Sequence, residues 1–219
     1  MSRKLGILGG TFNPIHYGHL AAAEEVRSRL NLDRILFLPS FHPPHKQEDE
    51  IPSAGQRMDM VKLALKGNPL FEASDIEIRR GGRSYTIDTI DAIRRKEEDA
   101  ELYFITGLDS FLEIQTWKEW ARLLTMCSFV VLSRPGYHFS SLKKIEFLAP
   151  AEQDLGALDT GILAHQVIRT AGTSVYLEVI PLYDISSTDI RKRIRDKGSV
   201  KYLLPESVET YIIDNKLYV

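Results

Sequence analysis

Short apolar runs alternate along this chain with longer stretches of helical periodicity. The runs that predict buried strands lie at residues 4–10, 34–40, 101–107, 128–134 and 175–182. One further stretch, 73–80, alternates apolar and polar residues and predicts a more exposed strand. The stretches that predict helices lie at 18–30, 53–66, 85–98, 117–124, 188–196 and 205–214. Because strands and helices alternate, the pattern predicts an α/β fold with a doubly wound parallel sheet covered on both faces.

The length of 219 residues suits a single domain, and residues 1–219 are interpreted as one unit. Residues 138–172 fit the alternation poorly, with helix-like pieces at 142–148 and 161–170, and are interpreted as a possible accessory insertion. Residues 185–219 are interpreted as a small helical C-terminal part. Because ligands of such sheets bind beyond the carboxyl ends of the strands, we expect the polar motifs that follow the strands to converge.

Composition excludes several kinds of partner and site. The chain carries 28 Lys and Arg against 30 Asp and Glu, a net charge of -2, which provides no general field for gripping a nucleic acid. Any phosphate must therefore be held by a local cluster. The single Cys127 allows neither an internal disulfide nor a cysteine-rich zinc site, so we expect a cytoplasmic protein. No apolar run is long enough for a signal peptide or a membrane span, so no membrane partner is expected.

The stretch GGTFNPIHYGHL joins the first predicted strand to the first predicted helix. Gly9 and Gly10 permit a tight turn and a close approach of a ligand to the backbone, and the start of the helix offers unpaired N–H groups. His16 and His19, three residues apart, project to the same side of the helix, and Gly18 leaves room between them. The stretch therefore predicts an anion site.

Other interpretations of this stretch are weaker. A zinc site could use His16 and His19, but no HExxH motif or cysteine pair supplies a third ligand. The fingerprint GxGxxG and the P-loop GxxxxGK are both absent, which argues against a hydride-transfer enzyme and a P-loop NTPase. Two histidines without a role at the start of a helix are the remaining alternative, and the neighbouring glycines argue against it.

A second motif, ISSTDIRKRI at residues 185–194, follows the last predicted strand. Ser186 and Asp189 match a capping box, so this segment opens a helix and adds N–H groups at the ligand edge of the sheet. Arg191 is expected in the first turn of that helix, where a cation is unfavourable unless an anion lies nearby. A polyphosphate would supply that anion, although an ordinary helix cap with a solvated basic face explains this motif equally well on its own.

Together, GGTFNPIHYGHL and ISSTDIR resemble the nucleotidylyltransferase superfamily, whose signatures are an (H/T)xGH motif at the first helix and an ISSTxxR-type motif near the end. The segments that are similar to the bacterial nicotinate-nucleotide adenylyltransferases are PSFHPPHK (39–46), GGRSYTIDTI (81–90), FITGLDSFLEIQTW (104–117) and YLLPESVETYI (202–212). Asn13 and Leu108 stand where that family often carries Asp and Ala, and residues 138–172 lie outside the resemblance. The resemblance implies a Rossmann-like doubly wound parallel sheet of the nucleotidylyltransferase type.

The resemblance also implies a reaction, adenylyl transfer from ATP to nicotinate mononucleotide, which gives nicotinate adenine dinucleotide and pyrophosphate in NAD biosynthesis. Mg2+ would be carried with ATP, without a dedicated protein metal site. Asp109 would bind a ribose hydroxyl, and Arg134 would face the adenine or the phosphates unless it is an ordinary surface arginine. The implied catalytic residues are His16, His19 and Arg191, and the implied ATP-binding residues are Gly9, Gly10, Thr11, Phe12, Gly18, Asp109, Arg134, Ile185, Ser186, Ser187 and Thr188.

On the nicotinate side, the resemblance implies substrate contacts from Lys46, Tyr85, Thr86 and Trp117. Tyr85 and Thr86 would bind the nicotinate carboxylate from the start of one predicted helix. Trp117, at the start of another predicted helix, would stack on the pyridine ring, although a tryptophan is more often part of a core. Lys46 would contact a phosphate, with a solvated lysine as its alternative.

The implied partners are ATP and nicotinate mononucleotide, with no nucleic acid and with a homo-oligomer left open. Arg57, Met58 and Leu63 are assigned to packing in an amphipathic helix. Three other functions remain as alternatives. They are another nucleotidylyltransferase such as a phosphopantetheine adenylyltransferase, a non-catalytic nucleotide-binding protein on the same fold, and a metal-dependent hydrolase that uses the HxxH pairs.

Overall fold

The computed structural model describes residues 2–42, 51–148, 154–170 and 172–219. Within these residues the strands are β1 (Arg3–Gly10), β2 (Arg34–Pro39), β3 (Phe71–Ala73), β4 (Ala100–Gly107), β5 (Ser128–Leu132), β6 (His165–Arg169) and β7 (Ser174–Glu178). The α-helices are α1 (Tyr17–Leu30), α2 (Ala54–Leu65), α3 (Ile76–Arg80), α4 (Thr86–Lys96), α5 (Leu108–Leu112), α6 (Trp120–Met126), α7 (Leu155–Asp159), α8 (Ser187–Arg195) and α9 (Glu206–Asp214). Short 3-10 helices cover Ile114–Thr116, Phe139–Lys144 and Glu146–Leu148.

The strands form one sheet in the order β3-β2-β1-β4-β5-β7-β6. All neighbouring pairs from β3 to β7 are parallel, and β6 pairs antiparallel with β7. From β1 the chain adds β2 and β3 on one side of the sheet, and from β4 it adds the remaining strands on the other side. The strand order therefore switches between β1 and β4. The predicted doubly wound sheet is confirmed, with an antiparallel edge that was not predicted. Ligands of such folds bind at this switch, beyond the carboxyl ends of the strands.

Two apolar layers, one on each face of the sheet, explain why the strand segments are almost continuously apolar. In β2, Leu36 and Leu38 belong to one buried cluster, while Ile35 and Phe37 belong to the other. Helices α4, α5 and α6 cover the first face, and α1, α2, α8 and α9 cover the second. The two helices that begin at the predicted phosphate motifs, α1 and α8, therefore lie on the same face of the sheet.

Most of the predicted helices are confirmed. The stretches 18–30, 53–66, 85–98, 188–196 and 205–214 correspond to α1, α2, α4, α8 and α9, with ends that differ by at most two residues. The last two of these form the predicted helical C-terminal part, and α9 packs beside α2. No helix in the described ranges is long and apolar enough to cross a membrane.

The exposed strand predicted at 73–80 is wrong. Only Phe71–Ala73 pairs with β2, and the chain then turns into α3 at Ile76. Asp75 and Arg79 form an ion pair at a spacing of four residues, which favours a helix, and Gly81 ends the helix with a φ of 67°. The alternation of apolar and polar residues in this segment therefore arises in one short helical turn.

The helix predicted at 117–124 begins three residues later. Trp117 ends the 3-10 helix Ile114–Thr116 with extended backbone angles, and Glu119 takes a left-handed conformation directly before α6. Trp117 therefore does not start a helix. Its ring instead packs edge-on against Phe104 in β4, with ring centroids 5.9 Å apart.

The segment 138–172 is more closely tied to the sheet than its sequence indicates. Its helix-like piece at 161–170 is wrong, because His165–Arg169 forms β6 against the open side of β7. The piece at 142–148 forms 3-10 turns, and Leu142 and Leu148 are buried in the same cluster as β5. That this segment is an insertion relative to other chains stays a prediction.

Candidate active site

Two adjoining cavities open at the switch between β1 and β4. The larger has a volume of about 800 Å3 and the smaller about 410 Å3. The residues that line both cavities are Gly9, Gly10, Thr11, Ile105, Thr106 and Ser110. These shared residues come from the carboxyl ends of β1 and β4, from the turn after β1 and from helix α5. A ligand in one cavity would therefore lie next to a ligand in the other.

The two histidines of the opening motif lie together at the start of α1 and line the smaller cavity. Their rings stack with centroids 3.8 Å apart, and the backbone N–H of His16 donates to Nδ1 of His19 at 3.3 Å. His16 is only 6 % exposed, and burial, with the charge of Arg134 as a smaller cause, lowers its pKa to about 4. At neutral pH His16 is therefore uncharged, with one ring nitrogen that carries a proton.

Backbone geometry places the tight turn of this motif at a residue other than the predicted glycines, while Gly18 leaves room beside the histidines as predicted. The left-handed turn after β1 is made by Phe12, with a φ of 48°, rather than by Gly9 or Gly10. A Cβ on Gly18 would lie 3.0 Å from Nδ1 of His16, so Gly18 makes room for that imidazole. A Cβ on Gly10 would likewise lie 3.1 Å from the ring of Phe12. These two glycines permit the side-chain packing that orients the histidines.

The C-terminal motif meets the opening motif at the same cavity. The Ser186 side chain caps α8 by accepting from the backbone N–H of Asp189 at 3.1 Å, as predicted. The Ser187 hydroxyl donates to the carbonyl of Pro14 at 2.9 Å. Ile185, Ser186 and Ser187 line the smaller cavity together with both histidines. Segments about 170 residues apart in the chain are thus joined by direct hydrogen bonds.

Arg191 and Thr188 lie just behind that cavity and line neither of the two. Arg191 is the fifth residue of α8, just past the first turn in which it was predicted, and its Nη1 donates to the carbonyl of Asn13 at 2.8 Å. Its Nη2 contacts the Thr188 hydroxyl at 3.4 Å, and its buried Nε has no hydrogen-bond partner in the described part of the chain. A guanidinium with an unsatisfied donor beside the cavity suits an incoming anion.

Asp109 and Arg134 face each other across the boundary between the two cavities. Asp109 lines the larger cavity and Arg134 the smaller, and Nε of Arg134 donates to Oδ1 of Asp109 at 3.5 Å. The sequence interpretation did not single out Gly107, yet a Cβ there would lie 2.3 Å from Oδ1 of Asp109 and 2.9 Å from Nε of Arg134. Gly107 therefore keeps the space in which these two side chains meet.

The predicted nicotinate-side residues that the structure describes line the larger cavity. Tyr85 precedes α4 and Thr86 begins it, and both residues line this cavity. Trp117 is partly buried against the core and also lines the cavity, so it is both a core and a lining residue. The ammonium of Lys118, which was not predicted, lies 4.9 Å from the centroid of the Tyr85 ring. Lys46 falls outside the described residues.

Two buried charged residues beside the larger cavity were also not predicted. Glu77 lines this cavity and accepts a hydrogen bond from the Thr89 hydroxyl at 2.7 Å. Arg57, which the sequence assigns to packing, is 1 % exposed and donates to backbone carbonyls of the loops at the site. A sequence signal existed for Arg57, because it lies three and four residues before Met60 and Val61, on the apolar side of α2.

The chain is similar in sequence to known proteins along most of its length. Residues 7–193 match a family model described as cytidylyltransferase-like. Proteins named probable nicotinate-nucleotide adenylyltransferase are 44% identical in Geotalea uraniireducens, over 98% of both chains, and 42% identical in Desulfitobacterium hafniense, over 99% of this chain and 96% of the relative.

The fold is also similar to that of solved structures. One is a Plasmodium falciparum nicotinic acid mononucleotide adenylyltransferase complexed with NaAD, with a TM-score of 0.74 and 20% identity over 99% of this chain and 97% of that one. A second structure of that protein, complexed with APC, has a TM-score of 0.71 and 18% identity, with the same coverage. At these identities the similarity supports the fold of the present chain.

Proposed function

The chain belongs to the cytidylyltransferase-like family and, within it, to the nicotinate-nucleotide adenylyltransferases, and on this premise we propose that it transfers the adenylyl group of ATP to nicotinate mononucleotide. The products would be nicotinate adenine dinucleotide and pyrophosphate, a step of NAD biosynthesis. The observation that carries the proposal is the convergence of the α1 and α8 N-termini on one cavity that adjoins a second, larger cavity.

The smaller cavity would hold ATP. His16 and His19 would donate N–H groups to its phosphate oxygens, and Arg191 with the first N–H groups of α8 would neutralise the departing pyrophosphate. The wider set of ATP contacts that we propose is Gly9, Gly10, Thr11, Phe12, Gly18, Asp109, Arg134, Ile185, Ser186, Ser187 and Thr188.

The larger cavity would hold the mononucleotide. Tyr85 and Thr86 would bind the nicotinate carboxylate, and Trp117 would lie against the pyridine ring. The dipole of α4 favours a carboxylate there by roughly 0.3–1 kcal/mol, so hydrogen bonds must supply the rest of any preference over the amide. Lys46 would add a phosphate contact.

The reaction needs no strong general base. The phosphate of the mononucleotide has a second pKa of about 6 and is largely ionised at neutral pH, so its oxygen can attack the α-phosphorus of ATP directly. The bond from that phosphorus to the bridging oxygen then breaks, and pyrophosphate leaves. Placing the two phosphates side by side and stabilising the charge that develops are the main tasks of the protein.

Mg2+ is the divalent ion that we propose to accompany ATP. In the described ranges, no group of three or more His, Cys, Asp or Glu side chains could hold a metal ion. An ion held mainly by phosphate oxygens and water needs no such group, so the residues present fit this mode of binding. The ion would offset phosphate charge when bound. We further expect the enzyme to be cytoplasmic, in agreement with its free, buried Cys127.

The test is a pyrophosphate-release assay on the purified protein with ATP and Mg2+. We expect rapid release with nicotinate mononucleotide and a product with the mass of nicotinate adenine dinucleotide. Phosphopantetheine, the substrate of the alternative phosphopantetheine adenylyltransferase, serves as the control substrate. Pyrophosphate release with it should be slow. Rapid turnover with phosphopantetheine, or none with nicotinate mononucleotide, would overturn the proposal.

A further inference from the structure

Arg57 is an unusual buried charge. Its side chain is 1 % exposed, and burial lowers the pKa of its guanidinium. In the described part of the chain it pairs with no carboxylate. It donates instead to four backbone carbonyls: Nη1 to Thr11 at 2.8 Å, Nη2 to Ser40 at 2.6 Å and to Phe41 at 3.1 Å, and Nε to Pro52 at 3.1 Å. Burying a cation is costly unless it is both paired with an anion and hydrogen-bonded, so an Arg57 that has only carbonyl partners calls for a reason beyond packing.

The four carbonyls belong to three separate segments of the chain. Thr11 follows β1 and lines both cavities, and Ser40 follows β2 and lines the larger one. Pro52 lies just before α2, on the other side of residues 43–50 from Phe41. One planar guanidinium therefore joins the loops at the ends of two neighbouring strands to the helix behind them. A lysine cannot reproduce this geometry, because its donors radiate from a single point.

The segment that Arg57 holds is in turn bonded to the nicotinate side of the site. The backbone N–H of Phe41 donates to the Ser84 hydroxyl at 2.9 Å, and the backbone N–H of Ser84 donates to the carbonyl of His42 at 3.4 Å. Ser84 lines the larger cavity directly before Tyr85. A shift of residues 40–42 would therefore move the wall of the mononucleotide cavity relative to Thr11.

We propose that Arg57 is a positioning residue, whose guanidinium holds the Thr11 and Ser40 loops in the register that lets the two substrates react. The proposal rests on the proposed adenylyl transfer. The wall shared by the two cavities includes Thr11, so the contact between attacking oxygen and α-phosphorus depends on this register. A misplacement of about 1 Å can lower a rate on the order of 100-fold.

The test compares Arg57→Met with Arg57→Lys and with Met60→Ala. Met60 is fully buried in the same helix and touches no substrate in this account, so it serves as the structural control. At a temperature where all variants are folded, we expect kcat/KM for both substrates to fall on the order of 100-fold in Arg57→Met. Arg57→Lys should recover part of the loss. The kcat/KM of Met60→Ala should stay within threefold of the wild-type value, even if its Tm falls as much as that of Arg57→Met.

Hydrogen–deuterium exchange without substrates provides a readout that does not depend on the reaction. In Arg57→Met we expect faster exchange of the backbone amides at 9–13 and 38–42 than in wild type. If Arg57→Met fails to fold, the same result is expected in Arg57→Lys. Met60→Ala should show no faster exchange at these amides. Unchanged exchange at these amides, or kcat/KM within threefold of Met60→Ala, would overturn the role of Arg57. If the wild type is inactive while the exchange differences between wild type and the Arg57 variants are as expected, the proposed reaction would be overturned instead.

Discussion

At the scale of single residues, the charge state of His16 decides how it can act on a phosphate. Burial and the nearby charge of Arg134 lower its pKa to about 4, so the ring is neutral across the physiological range. A neutral imidazole binds a phosphate oxygen by donating one N–H, without adding a buried charge. Titration of His16 should therefore not contribute to the pH dependence of the rate near pH 6.5.

The same shift predicts a loss of stability in acid. The unfolded chain binds a proton on this histidine near pH 6.5, while the folded chain does so only near pH 4, so the free energy of unfolding should fall as the pH decreases between these values. From pH 7 to pH 4.5 the expected contribution of His16 is about 2 kcal/mol. Urea unfolding of wild type and His16→Asn at the two pH values measures it.

The comparison variant is His138→Asn, which makes the same substitution at an exposed histidine. His16→Asn should be less sensitive to acid than either wild type or His138→Asn. Identical pH dependence in His16→Asn and wild type would mean that His16 titrates normally and is not buried as described.

The residue patterns predicted which side chains lie at the site better than they predicted what each side chain contacts. The spacing of His16 and His19 predicted that both would lie on one side of the first helix, and both line the smaller cavity, with His16 as the N-cap of α1 and His19 in its first turn. The sequence also predicted that Gly18 leaves room beside the histidines, but not that a Cβ there would meet Nδ1 of His16, since that depends on where the ring of His16 packs. Arg57 was missed because an arginine stem packs like an apolar side chain, and its hydrogen bonds reach loops distant in the chain.

At the scale of elements, we expect the cap of α8 to affect both helix stability and the proposed binding of ATP. Ser186→Ala removes the hydrogen bond to the N–H of Asp189, which should cost about 1 kcal/mol of stability. Because this N-terminus lies in the smaller cavity, we also expect the KM for ATP to rise roughly fivefold, the equivalent of about 1 kcal/mol of binding. Denaturant unfolding and initial rates measure the two effects.

The matched control is Ser53→Ala. Ser53 caps α2 in the same way, accepting from the N–H of Gln56 at 3.2 Å, but lines neither cavity. It should lose similar stability while its KM for ATP stays unchanged. Equal KM values in both variants would indicate that the start of α8 does not contact ATP.

Elements with strong local signals were predicted, and the two edge strands of the sheet, β3 and β6, were not. Helix α2 has a capping serine and helical periodicity, and its ends were predicted to within one residue. The strand β6 forms because β7 presents an open edge, so nothing local distinguishes its sequence from a helix. Likewise, β3 contains only three residues, and its pairing with β2 decides its extent.

At the scale of the whole molecule, the location of the site followed from the alternation of strands and helices. Parallel strands bring their carboxyl ends to one edge, so the motifs after β1 and β4 had to meet there. The sequence did not predict the direct bonds that join α8 to the loop after β1, namely Ser187 to Pro14 and Arg191 to Asn13. These depend on the packing of α1 and α8 on one face of the sheet.

The central claim is that the opening and C-terminal motifs act as one unit on a single triphosphate. The most direct measurement is a double-mutant cycle on kcat/KM for pyrophosphate release, with His19→Ala, Arg191→Ala and the double variant. Each single variant should lose on the order of 100-fold with little change in Tm, and the double variant should lose far less than the product of the two losses. Losses that multiply fully, or a single variant with wild-type activity, would contradict the claim.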